Sequence, residues 1–165
     1  MAQKDMYLNF NGTITGEAKS KGHEDQVEIE GFSWGLVQEG DLHKGTGGGR
    51  GKVAVHDLTV TKSLDRSTTE LIKAGINLKP FDTVTLICRE SGGEESVNYL
   101  EFEMSNVVVT SVSMNKAEGS GKPSETITLQ FAKFKFKYSQ QANAGSKEAE
   151  PHVTYDIKTQ ELVAG

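Results

Sequence analysis

Apolar and polar residues alternate with period two along most of this chain, the pattern of strands that bury one face. Residues 6–10 (MYLNF) predict a first strand. Asn11-Gly12 follows, a two-residue turn signal because both residue types tolerate positive φ, with Thr13 and Ile14 starting a return strand. In residues 26–38, Val27 and Ile29 alternate with Glu28 and Glu30, and then Phe32 and Trp34 take the parity the glutamates held. Gly31 stands at that change and predicts a bulge or bend, which lets one strand serve two sheets. Val53 and Val55 share one parity and Leu58 and Val60 the other, predicting a strand pair or a bulged strand over 52–62. Val84, Leu86 and Cys88 alternate inward in 83–89, and 97–104 and 106–114 read as two further strands. The longest run is 125–138: Ile127, Leu129 and Phe131 share one parity, Phe134, Phe136 and Tyr138 the other, and the switch falls at Ala132. Val153, Tyr155 and Ile157 predict a final strand.

Helical periodicity occurs once, in residues 65–75, and predicts a helix at about 67–74. Ser67-Thr68-Thr69-Glu70 matches a capping box, Gly75 offers a left-handed stop, and Leu71 and Ile72 give a narrow apolar stripe. Residues 91–95 (SGGEE) read as a hairpin turn, 115–124 as a glycine-bearing loop, and about 139–151 as a polar linker before the last strand. Six of the 18 glycines crowd into residues 40–51 (GDLHKGTGGGRG). Loops of that length inside compact domains are uncommon and tend to be functional or mobile. The expectation is a single domain, 1–165, in an all-β-dominated class: a compact β-barrel or sandwich of about nine strands, one flanking α-helix and a long glycine-rich loop at 40–51.

Composition agrees with strands, since Val, Thr and Ile number 34 against 21 for Ala and Leu. The 165 residues suffice to bury a core without staples, and the lone Cys88 excludes an intrachain disulfide. A net charge of −5 gives no global basic field for a phosphate backbone. No apolar run approaches the ~20 residues of a transmembrane helix, and residues 1–5 lead into the first strand without a signal-peptide core. No nucleic-acid partner and no membrane insertion are therefore expected.

No catalytic or metal constellation emerges, and no cofactor is expected. His23, His43, His56 and His152 are scattered, none three to five residues from another. His56-Asp57 could form an oriented base, but no Gly-x-Ser-x-Gly turn supplies a nucleophile, and a surface pair is the plainer reading. Cys88 lies mid-strand on the apolar parity, as a buried inert thiol would. The glycine cluster fits no phosphate loop: a Walker frame ending at Gly51-Lys52 meets Thr46 and Val53 where Gly and Ser or Thr are needed. Lys133, Lys135 and Lys137 alternate with Phe134 and Phe136, which in a strand makes a solvated face over a core face. Trp34, Tyr99 and Tyr155 could form an aromatic platform for carbohydrate, the alternative being a monomeric ligand-binding module. The glycine-rich arm favours a third class, a protein that packs against its own copies.

An ordered set of segments is similar to the haemolysin-coregulated proteins of bacterial type VI secretion. It begins with Lys21-Gly22-His23-Glu24-Asp25-Gln26-Val27-Glu28-Ile29 and Phe32-Ser33-Trp34-Gly35. It continues through Gly51-Lys52-Val53, His56-Asp57-Leu58 and Thr61-Lys62-Ser63-Leu64-Asp65-Arg66-Ser67-Thr68. Tyr99-Leu100, Ser111-Val112-Ser113 and Thr128-Leu129-Gln130-Phe131 complete it. The resemblance implies a non-enzymatic tube subunit: a small β-barrel with a flanking helix, forming hexameric rings that stack inside a contractile sheath. A spike protein would tip the tube, and effector proteins would travel in its lumen. It implies a cytoplasmic protein later secreted without a signal peptide. Ser33 would face the lumen and contact effectors, while His43, Lys44, Gly47, Gly48, Gly49 and Arg50 of the arm would contribute to ring stacking.

Overall fold

The computed structural model describes residues 5–40, 42, 52–90, 97–140 and 150–164. Its strands are β1 (Met6–Asn9), β2 (Val27–Glu28), β3 (Gly31–Ser33), β4 (Leu36–Val37), β5 (Ala54–Val55), β6 (Leu58–Ser63), β7 (Phe81–Glu90), β8 (Val97–Asn115), β9 (Ser124–Tyr138), β10 (His152–Asp156) and β11 (Glu161–Ala164), with one helix, α1 (Thr68–Asn77). All strand pairs are antiparallel.

The pairings close a circuit. β1 pairs β7, β7 pairs β8, β8 pairs β9, β9 pairs β6, and β6 pairs β3. β2, two residues ahead of β3 in the same segment, pairs β1 and completes the barrel. The handover lies between adjacent residues: the Ile29 N–H donates to Met6 O at 3.1 Å, and the Glu30 N–H donates to Thr61 O at 2.7 Å. The break expected at Gly31 is therefore a change of partner within one barrel. It divides the expected strand over 26–38 into β2, β3 and β4, the last joining β5 in a separate ribbon.

β9 divides in the same way. Its residues 124–129 pair β6, and its residues 133–137 pair β10, which carries β11 on its far side. The parity switch at Ala132 is the fork, and the Ile157 N–H returns to Ala132 O at 2.9 Å. Across the ribbon β8 switches at Asn106, where φ is +54, so that Leu100, Phe102, Met104 and then Val107 and Val109 are buried. Residues 97–114 are thus one strand and not two. Asn tolerates the left-handed conformation that a parity change requires, so the chain need not leave the sheet.

Other expectations are corrected. Asn11 (φ 53) and Gly12 (φ 83) do form a tight turn, with the Thr13 N–H donating to Phe10 O, but no hairpin follows. Both edges of β1 are already taken by β2 and β7, and Phe10 and Ile14 turn into the core instead. The chain next runs beside residues 25–26, where Gly16 leaves no room for a side chain: a Cβ there would lie 2.6 Å from Val27 Cα. The helix begins without the capping box. Ser67 donates its N–H and hydroxyl to Asp65 and makes no side-chain cap. It runs past Gly75 and ends at Leu78, whose φ of 48 supplies the left-handed stop. The last strand expected, around 153–157, is β10, and β11 follows it as an eleventh. The turn expected at 91–95 lies outside the described residues, although β7 and β8 pair up to Glu90 opposite Val97.

One apolar cluster fills the barrel, with Leu8, Val27, Leu58, Val60, Val84, Phe102, Met104, Ile127 and Leu129 among its buried members, and α1 caps it through Leu71 and Ala74. The same interior holds a charged group. Lys62 and Glu125 are fully buried, with Nζ to Oε2 at 2.7 Å, and Lys62 also donates to Ser63 O and Asp65 Oδ1, both at 3.0 Å. Asp65 thereby ties the start of α1 to the barrel.

Candidate functional site

Register assigns Ser33 to a face. Ser33 pairs Thr59, Thr59 pairs Thr128, and Thr128 pairs Ser111; one row along, Gly31, Thr61, Thr126 and Ser113 align in the same order. Directly paired residues point to the same side of a sheet. The intervening row of Phe32, Val60, Ile127 and Val112 has Val60 and Ile127 fully buried, so the Ser33 row points away from the barrel interior. Ser33 is exposed at the end of β3 in a field of hydroxyl groups that carries no charge. Alternation in the sequence could not assign this facing, because Gly31 interrupts it.

The neighbouring face, on the β7–β10 side, is charged. Glu101 and Glu103 of β8 pair with Lys137 and Lys135 of β9, as opposite charges across strands should. Lys137 Nζ lies 2.7 Å from Glu150 and 3.5 Å from Glu101. Its hydrogen bond to Glu150 holds the Lys137 ammonium above its ordinary range, and the same bond holds the Glu150 carboxyl below its own. The lysine row is the solvated face expected over a core face, with Lys135 exposed and Phe134 buried on the reverse side, and Lys137 ties it to Glu101 and Glu150 by ion pairs.

A groove of about 460 Å³ opens where the β4–β5 ribbon meets the β9–β10–β11 sheet. Trp34, Val55, Phe134, Phe136, Tyr155 and Leu162 line it. Trp34 packs on Phe102 at 4.8 Å and edge-on to Phe134 at 5.1 Å between ring centroids. Of the three aromatic residues that sequence reasoning grouped, the fold brings Trp34 and Tyr155 together here. Tyr99 lies apart beside Cys88, so the three-ring platform is not formed. Sequence reasoning missed the groove because β4, β5 and β11 carry no long alternation.

His56 and Asp57 line a different pocket of about 330 Å³, with Asn106, Gln130 and Lys158. Burial pushes the Asp57 carboxyl up, opposed by His56. Among the described residues no serine, threonine or cysteine lines that pocket. Cys88 is buried, and burial pushes its thiol up, the opposite of an activated nucleophile. Among the described residues no group of three His, Cys, Asp or Glu side chains is placed to hold a metal ion, and no helix is long and apolar enough to cross a membrane. The arm residues His43, Lys44, Gly47, Gly48, Gly49 and Arg50 lie outside the described residues.

Comparison with known proteins gives a consistent result. The family described as "Type VI secretion system effector, Hcp" matches residues 7–138. Protein hcp1 of Pseudomonas aeruginosa is 38% identical over 147 residues, covering 89% of this chain and 90% of its own. A solved type six secretion system protein superposes with a TM-score of 0.86 at 25% identity, covering 96% of this chain and 99% of its own. Hcp1 from Salmonella typhimurium superposes at 0.78 with 26% identity, over 96% and 98% of the two chains.

Proposed function

This chain belongs to the Hcp family of type VI secretion proteins, and from that premise we propose that it assembles as hexameric rings which stack into the hollow inner tube. A contractile sheath expels the tube, a spike protein tips it, and effector proteins ride in its lumen. Before firing the subunit resides in the cytoplasm, and it leaves the cell with the tube. The observation that carries this reading is the family match over residues 7–138.

The surfaces support it chemically. A lumen wall must let a passenger pass without gripping it, and the hydroxyl face around Ser33 offers hydrogen bonds with neither charge nor apolar surface. Ser33 is accordingly the effector contact, and the arm at 40–51, through His43, Lys44, Gly47, Gly48, Gly49 and Arg50, joins one ring to the next. Electron microscopy of the purified full chain tests the assembly: annular particles with sixfold symmetry and an open centre are expected. A monomer at every concentration in sedimentation would overturn it.

A further inference from the structure

We propose that the apolar groove between β4–β5 and the β9–β10–β11 sheet receives the C-terminal turn of α1 from an adjacent copy of this chain, as the lateral contact of the ring. The proposal rests on the self-assembling tube subunit described above and adds the two surfaces that meet.

The groove has an aromatic floor, formed by Trp34, Phe134, Phe136 and Tyr155. Its rims are strands that leave apolar residues exposed on both of their faces: Leu36 and Val37 in β4, Leu162 and Val163 in β11. Among the described strands β11 pairs only with β10, and its other edge has no described neighbour. An apolar edge of this kind invites association unless something covers it.

The occupant follows from symmetry. A ring of more than two subunits is built from a heterologous contact, in which two different patches of one chain meet. α1 carries the second patch. It docks on its own barrel through Thr68, Leu71 and Ala74, while Ile76 is 78% exposed and Leu78 56% exposed beyond them. The stop at Leu78 is fixed by the Lys79 N–H donating to Ala74 O at 3.0 Å, so the two apolar side chains are presented on an ordered turn. An apolar helix face entering an apolar groove is a recurrent recognition mode. The patches cannot meet within one chain. Gly75 lies against Val109 and Val112 of β8, whereas the groove residue Phe136 pairs Phe102, seven residues along that strand, or about 24 Å at ~3.4 Å per residue. The charges also match: Lys79 adjoins the helix patch, while Lys73 is already paired with Glu70 at 3.2 Å, and exposed Glu39 and Glu161 adjoin groove residues Gln38 and Leu162, with Lys52 the cation beside Val53.

Cysteine cross-linking of the full chain tests the contact. Cys88, the sole native thiol, is buried and stays in place. The Ile76→Cys/Leu162→Cys double variant, oxidised and run without reductant, should give a ladder of covalent oligomers ending at six. Each single-cysteine variant should stay a monomer on the gel. Annular particles with no ladder from the double variant would overturn the groove contact and leave the ring standing. Dimers from a single variant would overturn it in favour of a symmetric contact. Absence of rings in the unmodified protein would overturn both. Leu162→Asp and Ile76→Asp provide a second reading: each should abolish annular particles while the melting of the isolated subunit is unchanged, and rings that persist in both would overturn the contact.

Discussion

Lys62 holds its ammonium wholly out of water between Glu125 and Asp65, and the cost of that burial is offset only because every donor has a nearby oxygen. Removing one partner strands the other. Glu125→Ala is expected to lower unfolding stability by about 3–5 kcal/mol, measured by denaturant titration. Replacing both charges, as in Lys62→Met with Glu125→Leu, should restore only part of the loss, because Asp65 and Ser63 O also lose the donor they share. Asn106 makes a different demand. Its φ of +54 falls where β-branched side chains clash, so Asn106→Val should cost about 1–2 kcal/mol and Asn106→Gly far less, in the same titration. Neither role is legible in the sequence. Lys62 sits on the parity of Leu58 and Val60, and alternation marks that position as inward without indicating which acid receives it. Asn106 reads as the first residue of a separate strand, because the sequence does not say that 97–104 runs on into 106–114.

Among the elements, legibility tracks how much of each strand's identity lies in its own residues. β7 and β9 alternate over ten and fifteen residues, so their inward faces and the switch at Ala132 can be read directly. β2, β3, β4 and β5 have two or three residues each and exist because partners hold them; the apolar pattern marks their side chains but not their pairings. β11 is exposed along most of its length and offers no alternation. The helix was legible in place but not at its ends, where Asp65 and Leu78 did what Ser67 and Gly75 suggested. The β10–β11 turn yields a prediction with a definite sign. The Thr159 N–H donates to Asp156 Oδ1 at 3.0 Å, and backbone donors of this kind hold the Asp156 carboxyl below its ordinary range. A depressed carboxylate stabilises above its unfolded pKa, about 3.9, and loses that contribution as pH falls through the folded value. Amide exchange at Thr159, corrected for the intrinsic rate, should therefore quicken on acidification below about pH 4, and Asp156→Asn should remove that pH dependence.

At the scale of the whole molecule, the family resemblance rests on segments spread along nearly the whole chain, which is why the sequence indicated a class of protein more readily than a site. Two tests belong here. Deleting residues 45–49 should weaken ring stacking, seen as single rings in place of tubes by electron microscopy, with the circular dichroism melt unchanged. Ser33→Arg should leave rings intact and reduce co-purification of an effector by tenfold or more, on the order of the ~1.4 kcal/mol that separates decades of affinity. The partner change between Ile29 and Glu30 has a consequence of its own. The barrel is fastened there by two rungs to β1 and three to β6, against fourteen between β8 and β9. Such a fastening is a clasp: of the junctions that close the barrel, the 27–33 segment is expected to release first on heating and the β7–β8–β9 meander last, in the order in which their amides exchange. In the proposed tube, a subunit under load would then open at the clasp, and a protease would meet that segment foremost.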